Sequence, residues 1–465
     1  MLHARFEDIA WSCKRIVILR LCILERTYFD SRSKVDMKSK YNLGNFYMLW
    51  ATQSLSQLGS TMTGFALTLW LYQRTGSALQ TALLSICSYA PYVIMSMFAG
   101  ALSDRWNKKR TMLVCDALAA LCTCTVFLLL KLNLMLPWHM YVLNAVSGLM
   151  NTVQNPASEV AYTLITPKAQ YQRTSSLKSF SSSLITILHP MLATALFGFG
   201  GMDAVIAVDL VTFAIAFAVL AVWIRIPDAG AATGTERSSV LELVRGGLGC
   251  LRSRPLVLKL IFFLAGVNFV ASAFDATLPA FVLPNPRGGE AVLGLVTTFA
   301  GIAMLLGSLI SAALPTPKDR VRLICFTMLF SLTTDNFLMS LTDSPIAWCA
   351  GQVLGYLPVP LMNASLDVIV RSSIPAQMQG RVYACRNALQ FFTIPIGTFF
   401  GGWMVDMVCE PYMARAAIDA LAVRLFGLGK GSGAAMMIFL LGIMGGAICL
   451  IFTWLLRKHR FEEPR

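Results

Sequence analysis

Two runs of 23 residues, QTALLSICSYAPYVIMSMFAGAL (80–102) and AAMMIFLLGIMGGAICLIFTWLL (434–456), contain no charged side chain. A helix of about 20 such residues crosses the hydrocarbon of a bilayer. Ten further stretches of this chain resemble them. With 13% charged and 56% hydrophobic residues, the sequence lacks the polar surface of a soluble protein, which is about 25% charged. Lipid is therefore the expected solvent, and the expected class is an all-α polytopic membrane protein.

Twelve spans are expected at 45–72, 80–102, 111–131, 138–165, 176–199, 203–224, 256–283, 291–314, 321–341, 345–370, 382–405 and 434–456. Basic residues alternate between the connections. The 2–3 connection carries Arg105, Lys108, Lys109 and Arg110, the 8–9 connection Lys318, Arg320 and Arg322, and the 4–5 connection Lys168 and Arg173. The 1–2 connection has only Arg74 and the 7–8 connection only Arg287. Because basic loops stay in the cytoplasm, both termini are expected there, in a multi-pass protein of the cytoplasmic (plasma) membrane. The segment 406–433 dissents, since it should lie outside yet holds Arg415, Arg424 and Lys430. The expected organisation is an extension 1–40, a six-helix bundle 41–225, a linker 226–255, a second bundle 256–456 and a tail 457–465. Within the linker, SVLE (239–242) reads as a capping box, opening a short amphipathic helix on the inner membrane surface. Met37 is an alternative start to the first 36 residues.

The net charge of +14 follows from these cytoplasmic flanks and does not call for nucleic acid. The twelve cysteines form no CxxC pair, and no metal-ligand cluster, nucleotide loop or nucleophile–base pattern stands out. Neither a metal, another cofactor nor an enzymatic activity is indicated, and an ATP-driven pump is disfavoured.

The two halves repeat. At a constant offset of 208, Asn155 matches Asn363, Glu159 matches Asp367, Pro167 matches Pro375, Arg173 matches Arg381, and Lys178 matches Arg386. Two parallel six-helix repeats are a known transporter architecture. A water-filled path between them explains polar residues inside spans, each of which would cost roughly 2.5–3.5 kcal/mol if charged and facing lipid.

Together with GALSDRWNKKR (100–110), whose Gly100, Leu102, Asp104, Arg105 and basic cluster form a signature between spans 2 and 3, the sequence resembles the major facilitator superfamily over 41–456. The opening YMLWATQSLSQLGSTMTGFALTLWLYQRTGSA, the NPA at 155–157 and GRVYA…PIGTFFGGWMVD (380–406) are similar to its drug-efflux branch of macrolide-type and siderophore exporters. Asn107 stands where most members have glycine, as the next-best residue for positive φ, and the 406–433 segment is longer than the branch's usual turn. The resemblance implies a secondary transporter, a monomer, working by alternating access and exporting amphiphilic drug-like compounds by proton antiport. The energy source would be the proton motive force. A dedicated metabolite, such as a siderophore or lipid-like molecule, and a non-transporting sensor or scaffold are the alternatives.

On that reading the charged loop is a conformational latch. Asp104 would face the N-terminus of span 11, where the helix dipole attracts an acid. Arg105 and Arg110 would reach Glu159, and Lys318 or Arg320 would reach Asp367, with Gly100, Arg173 and Arg381 completing the set. Lys108 and Lys109 are explained by topology alone. Asp275 in span 7 is the candidate proton carrier, and Gln53, Gln57 and Asn268 are candidate hydrogen-bond partners for substrate, although amides also join helices. Asp116, Asp209 and Asp335 are expected to pair structurally, and His189 to pack beside the Pro190 kink. Trp70, Tyr72, Phe274, Phe281 and Met304 are candidates for an apolar wall.

Overall fold

The longest helix of the chain, Tyr171–Val222, is two spans joined at a sharp bend. Gly201 there takes φ 63° and ψ −159°, a conformation open essentially to glycine alone. In this computed structural model the described residues are 43–167, 170–227, 248–315, 317, 319–374 and 379–457, the side chains at 96–105, 379–381 and 384 excepted. The amphipathic-helix segment of the linker lies mostly outside them, as does the extension before residue 43.

The twelve spans appear where expected. Span 1 is Leu43–Thr75, span 2 Ala78–Arg105, span 3 Lys108–Lys131 and span 4 Pro137–Ile165. Spans 5 and 6 share Tyr171–Val222, and spans 7, 8 and 9 are Pro255–Val282, Glu290–Ala313 and Arg320–Leu341. Span 10 runs through Pro345–Tyr356 and Val359–Ser373, interrupted next to Pro358. Span 11 comprises Gln379–Phe391 and Thr393–Met404, a π-helical turn Val405–Cys409 and Glu410–Arg415; span 12 is Ser432–Leu456. Most of these helices are long and apolar enough to cross a membrane, but spans 1 and 4 fall short in hydropathy. Their polar side chains have a different solvent, as the cavity below makes clear.

Two turns differ from expectation. Asn107 does not use positive φ: its backbone is extended (φ −62°, ψ 119°), and its side chain accepts from the Arg110 N–H as the N-cap of span 3. Asparagine is among the best residues for that position. Lys109 does more than mark topology. Its Nζ donates to the carbonyls of Ala221 and Ile224 at 2.9 and 2.8 Å, at the end of span 6 where helix carbonyls lack partners. The 406–433 segment is folded rather than a loop. It continues span 11, adds a short helix Leu421–Phe426, and is tied back where Glu410 accepts from the Gly431 N–H at 2.8 Å.

The halves pack differently. The second half has one continuous apolar core, from Leu251 through Phe263, Ile324 and Trp348 to Leu456. The first half has two, one around Phe46, Leu49, Met112 and Leu220 and another around Met62, Leu71, Val126 and Ile206. Most of the residues that line the cavity described below belong to this first half.

Candidate functional site

A cavity of about 950 Å³ lies between the halves. Span 1 contributes Gln53, Gln57 and Ser60 to its wall, span 4 contributes Asn151, Gln154 and Asn155, and the second half contributes Ser272, Asp275 and Thr398. This is why spans 1 and 4 are the less apolar ones: their polar faces meet the cavity, not lipid. Aromatic rings of Trp50, Phe65, Tyr89, Tyr162 and Phe213 complete it.

Four carboxylates stand in this wall: Glu159, paired with Lys178, and three fixed by uncharged donors. Asp116 accepts from Gln154 Nε2 at 2.6 Å and from Gln53 Nε2 at 3.3 Å, which links spans 1, 3 and 4. Asp209 accepts from the hydroxyls of Ser60 at 3.1 Å and Thr63 at 2.9 Å. Among the described residues Asp275, on span 7, receives only the Tyr356 hydroxyl, at 3.3 Å, and it is exposed to the cavity. Deeper in the second half, Gln352 donates to the buried Asp335 at 3.2 Å. Uncharged donors hold a carboxylate in place without neutralising it, so an acidic cavity retains its attraction for a cation or a proton.

Of the expected substrate contacts, Gln53, Gln57 and Asp275 line the cavity, whereas Asn268 joins helices by donating to the Gln390 carbonyl at 3.1 Å. Of the candidates for an apolar wall, three take the packing role that was the commoner expectation for each alone. Tyr72, Phe274 and Phe281 are buried in packing. The rings that do line the cavity share their helices with its polar residues, and that spacing was the available signal. His189 packs edge-on against Phe65, with Nδ1 at 3.0 Å from the Ile185 carbonyl.

At the end carrying the 2–3 and 4–5 connections, here the basic end, Glu159 pairs with Lys178, whose Nζ lies 4.8 Å from the Tyr162 ring centroid. The repeat-related Asp367 pairs with Arg386 at 3.1 Å. Both pairs stay within one half. Arg110 is exposed, Arg173 lies over the Tyr47 ring and Arg320 is buried. The side chains of Gly100, Asp104, Arg105 and Arg381, and residue Lys318, lie outside the description. The cavity reaches Glu159 and Lys178 and so extends to the basic end.

At the opposite, far end the halves are joined. Gln73 donates to Glu290, and the Tyr72 hydroxyl lies 3.5 Å from the Ala280 carbonyl. Asp406 of span 11 accepts from Ser77 and from the N–H groups of Ala78 and Leu79.

Two six-helix repeats around a central polar cavity, with the halves joined at one end, are the architecture of a membrane transporter. The sequence pattern of the Major Facilitator Superfamily matches residues 49–314, more than half of the chain, and the chain belongs to that family. It is 23% identical over 367 residues to macrolide efflux protein A of Streptococcus pyogenes, covering 78% of this chain and 90% of that protein. It is 24% identical over 368 residues to the multidrug efflux pump Tap of Mycolicibacterium fortuitum, covering 75% and 85%. Among solved structures, a bacterial homologue of the human lysosomal transporter Spinster, inward-facing and occupied, superposes with a TM-score of 0.68 at 13% identity, over 91% and 99% of the two chains. The nucleoside transporter NupG gives 0.66 at 10% identity, over 89% and 99%.

Proposed function

We propose that this protein exports amphiphilic compounds across the cytoplasmic membrane by alternating access, driven by proton antiport. One observation carries the reading: a cavity near the upper end of the usual 300–1,000 Å³ range for small-molecule sites, walled by aromatic rings and by Asp116, Asp209 and Asp275. Such a wall suits a bulky molecule with an apolar body and a cationic group. The names of the macrolide and multidrug efflux relatives support export. The charge alternation supports a cytoplasmic basic end, so the cavity faces the substrate's side of entry. In the opposite state Asp104, with the basic residues around it, closes that end against span 11. The working unit is a monomer in the bilayer, and it needs no cofactor beyond the proton gradient.

Efflux of fluorescent amphiphilic cations from energised bacterial cells, with and without an uncoupler, tests this. Uncoupler-sensitive export lost in Asp275→Asn is expected. Wild-type cells that export none of the panel would overturn it and bring forward export of a dedicated metabolite.

A further inference from the structure

Spans 2 and 11 run antiparallel, and at the far end the C-terminal part of one meets the N-terminus of the other. Asp406 sits in the π-helical turn of span 11, a local feature frequent at functional sites. Its Oδ1 accepts from the Ala78 N–H at 3.0 Å, and its Oδ2 accepts from the Leu79 N–H at 2.9 Å and from the Ser77 hydroxyl at 2.5 Å. Those N–H groups open span 2 and have no partner within their own helix. A carboxylate there both caps the helix and meets its dipole. The cap comes from the other half of the molecule, 327 to 329 residues away.

The backbone is shaped for this contact. A Cβ on Gly402, one turn before Asp406, would stand 2.9 Å from the Ala78 carbonyl oxygen and from Leu79 Cα, and 2.8 Å from Ala82 Cβ. The missing side chain is what allows spans 11 and 2 to touch.

We infer that Asp406 is the far-end gate residue, a positioning residue whose bonds to span 2 exist only while the cavity faces the basic end. This rests on the alternating-access reading above. Opening the far end must part spans 2 and 11, so all three bonds are lost and the N-terminal N–H groups pass to water. An interaction present in only one of two states sets their ratio. Asp406 and Ser77 thereby favour the far-closed state without contacting substrate.

The test is the far-end distance between spin labels on non-canonical residues at positions 134 and 418, exposed and in opposite halves, in the full chain in lipid nanodiscs. Asp406→Ala is expected to raise the ratio of far-open to far-closed molecules by about 5- to 20-fold, in keeping with the loss of a helix cap. Asp406→Asn, which keeps one acceptor, should shift it less. Gly402→Ala should shift it in the same direction as Asp406→Ala by wedging the contact apart. An unchanged ratio in Asp406→Ala with unchanged melting overturns the gate. A lower melting temperature with an unchanged ratio overturns it equally, as a merely structural cap. A single far-end distance for the wild type in every condition would sink both the gate and alternating access. A shifted ratio in a protein that exports nothing in the panel would leave the gate standing while the export reading fails.

Discussion

Arg386 donates to Asp367 at 3.1 Å in the same way that Lys178, its counterpart in the repeat, donates to Glu159. Each pair ties the end of one span to the next within its own half, spans 4 to 5 and spans 10 to 11. They therefore stiffen each half as a body. The two partners in the second half are not equally placed: the Arg386 side chain is 11% exposed and that of Asp367 47%. Removing Asp367 leaves a nearly buried guanidinium with Gln390 and the Tyr383 ring. Removing Arg386 leaves an acid that water can reach. Asp367→Ala is expected to destabilise by about 1–3 kcal/mol, and Arg386→Gln by less than about 1 kcal/mol. Thermal melting in detergent would show this order; the reverse order would contradict the burial argument.

The bend between spans 5 and 6 makes a second, simpler demand. Gly201→Ala places a side chain at φ 63°, ψ −159°, where strain of order 1–3 kcal/mol is expected. Gly198, inside the regular helix and with nothing within 4 Å of an added Cβ, supplies the control. Gly198→Ala should be neutral or slightly stabilising. Melting of the two variants side by side separates backbone strain from loss of space.

The spans and the two-fold repeat were legible because membrane helices need long apolar runs and repeats keep their offset. The bonding within the site was less legible. Glu159 and Asp367 stood out by register, yet their bases, Lys178 and Arg386, are bonded within each half, a choice made by side-chain reach rather than by spacing. Lys109 looked like a topology marker because its partners are carbonyls of Ala221 and Ile224, and carbonyls carry no sequence signal. Asp406 was hidden for much the same reason: two of its three donors are backbone N–H groups. Asp116 and Asp209 read correctly as paired acids, but their place on the cavity wall depends on how spans 3 and 6 are rotated.

Asn107 offers a clean comparison of two residues that both suit turns. Its side chain caps span 3 through the Arg110 N–H at 3.1 Å, with φ in the ordinary negative range. Asn107→Ala should cost about 1 kcal/mol and Asn107→Gly only a few tenths. If glycine proved clearly stabilising, the turn would need the freedom of positive φ, and the cap would be incidental. Melting of the two variants decides.

Asp116 and Asp275 face the same cavity from opposite halves, and their bonding predicts different losses. Asp116 is clasped by two amide donors, Gln53 and Gln154, so it is held rigidly as a negative point for a cation to approach. An asparagine there keeps the shape, loses the charge and turns one donor group toward another. Asp116→Asn should raise the concentration of a cationic compound needed for half-maximal export by about 10-fold, the value of roughly 1.4 kcal/mol, while leaving a neutral amphiphile nearly unaffected. Asp275 has one hydroxyl partner among the described residues and open access to the cavity, as the proposed proton antiport asks of its carrier. Asp275→Asn should abolish uphill export of both compounds yet leave binding, measured by ligand-induced change in melting temperature, within a factor of a few. Equal effects of both substitutions on both compounds would remove the distinction between a substrate anchor and a proton carrier.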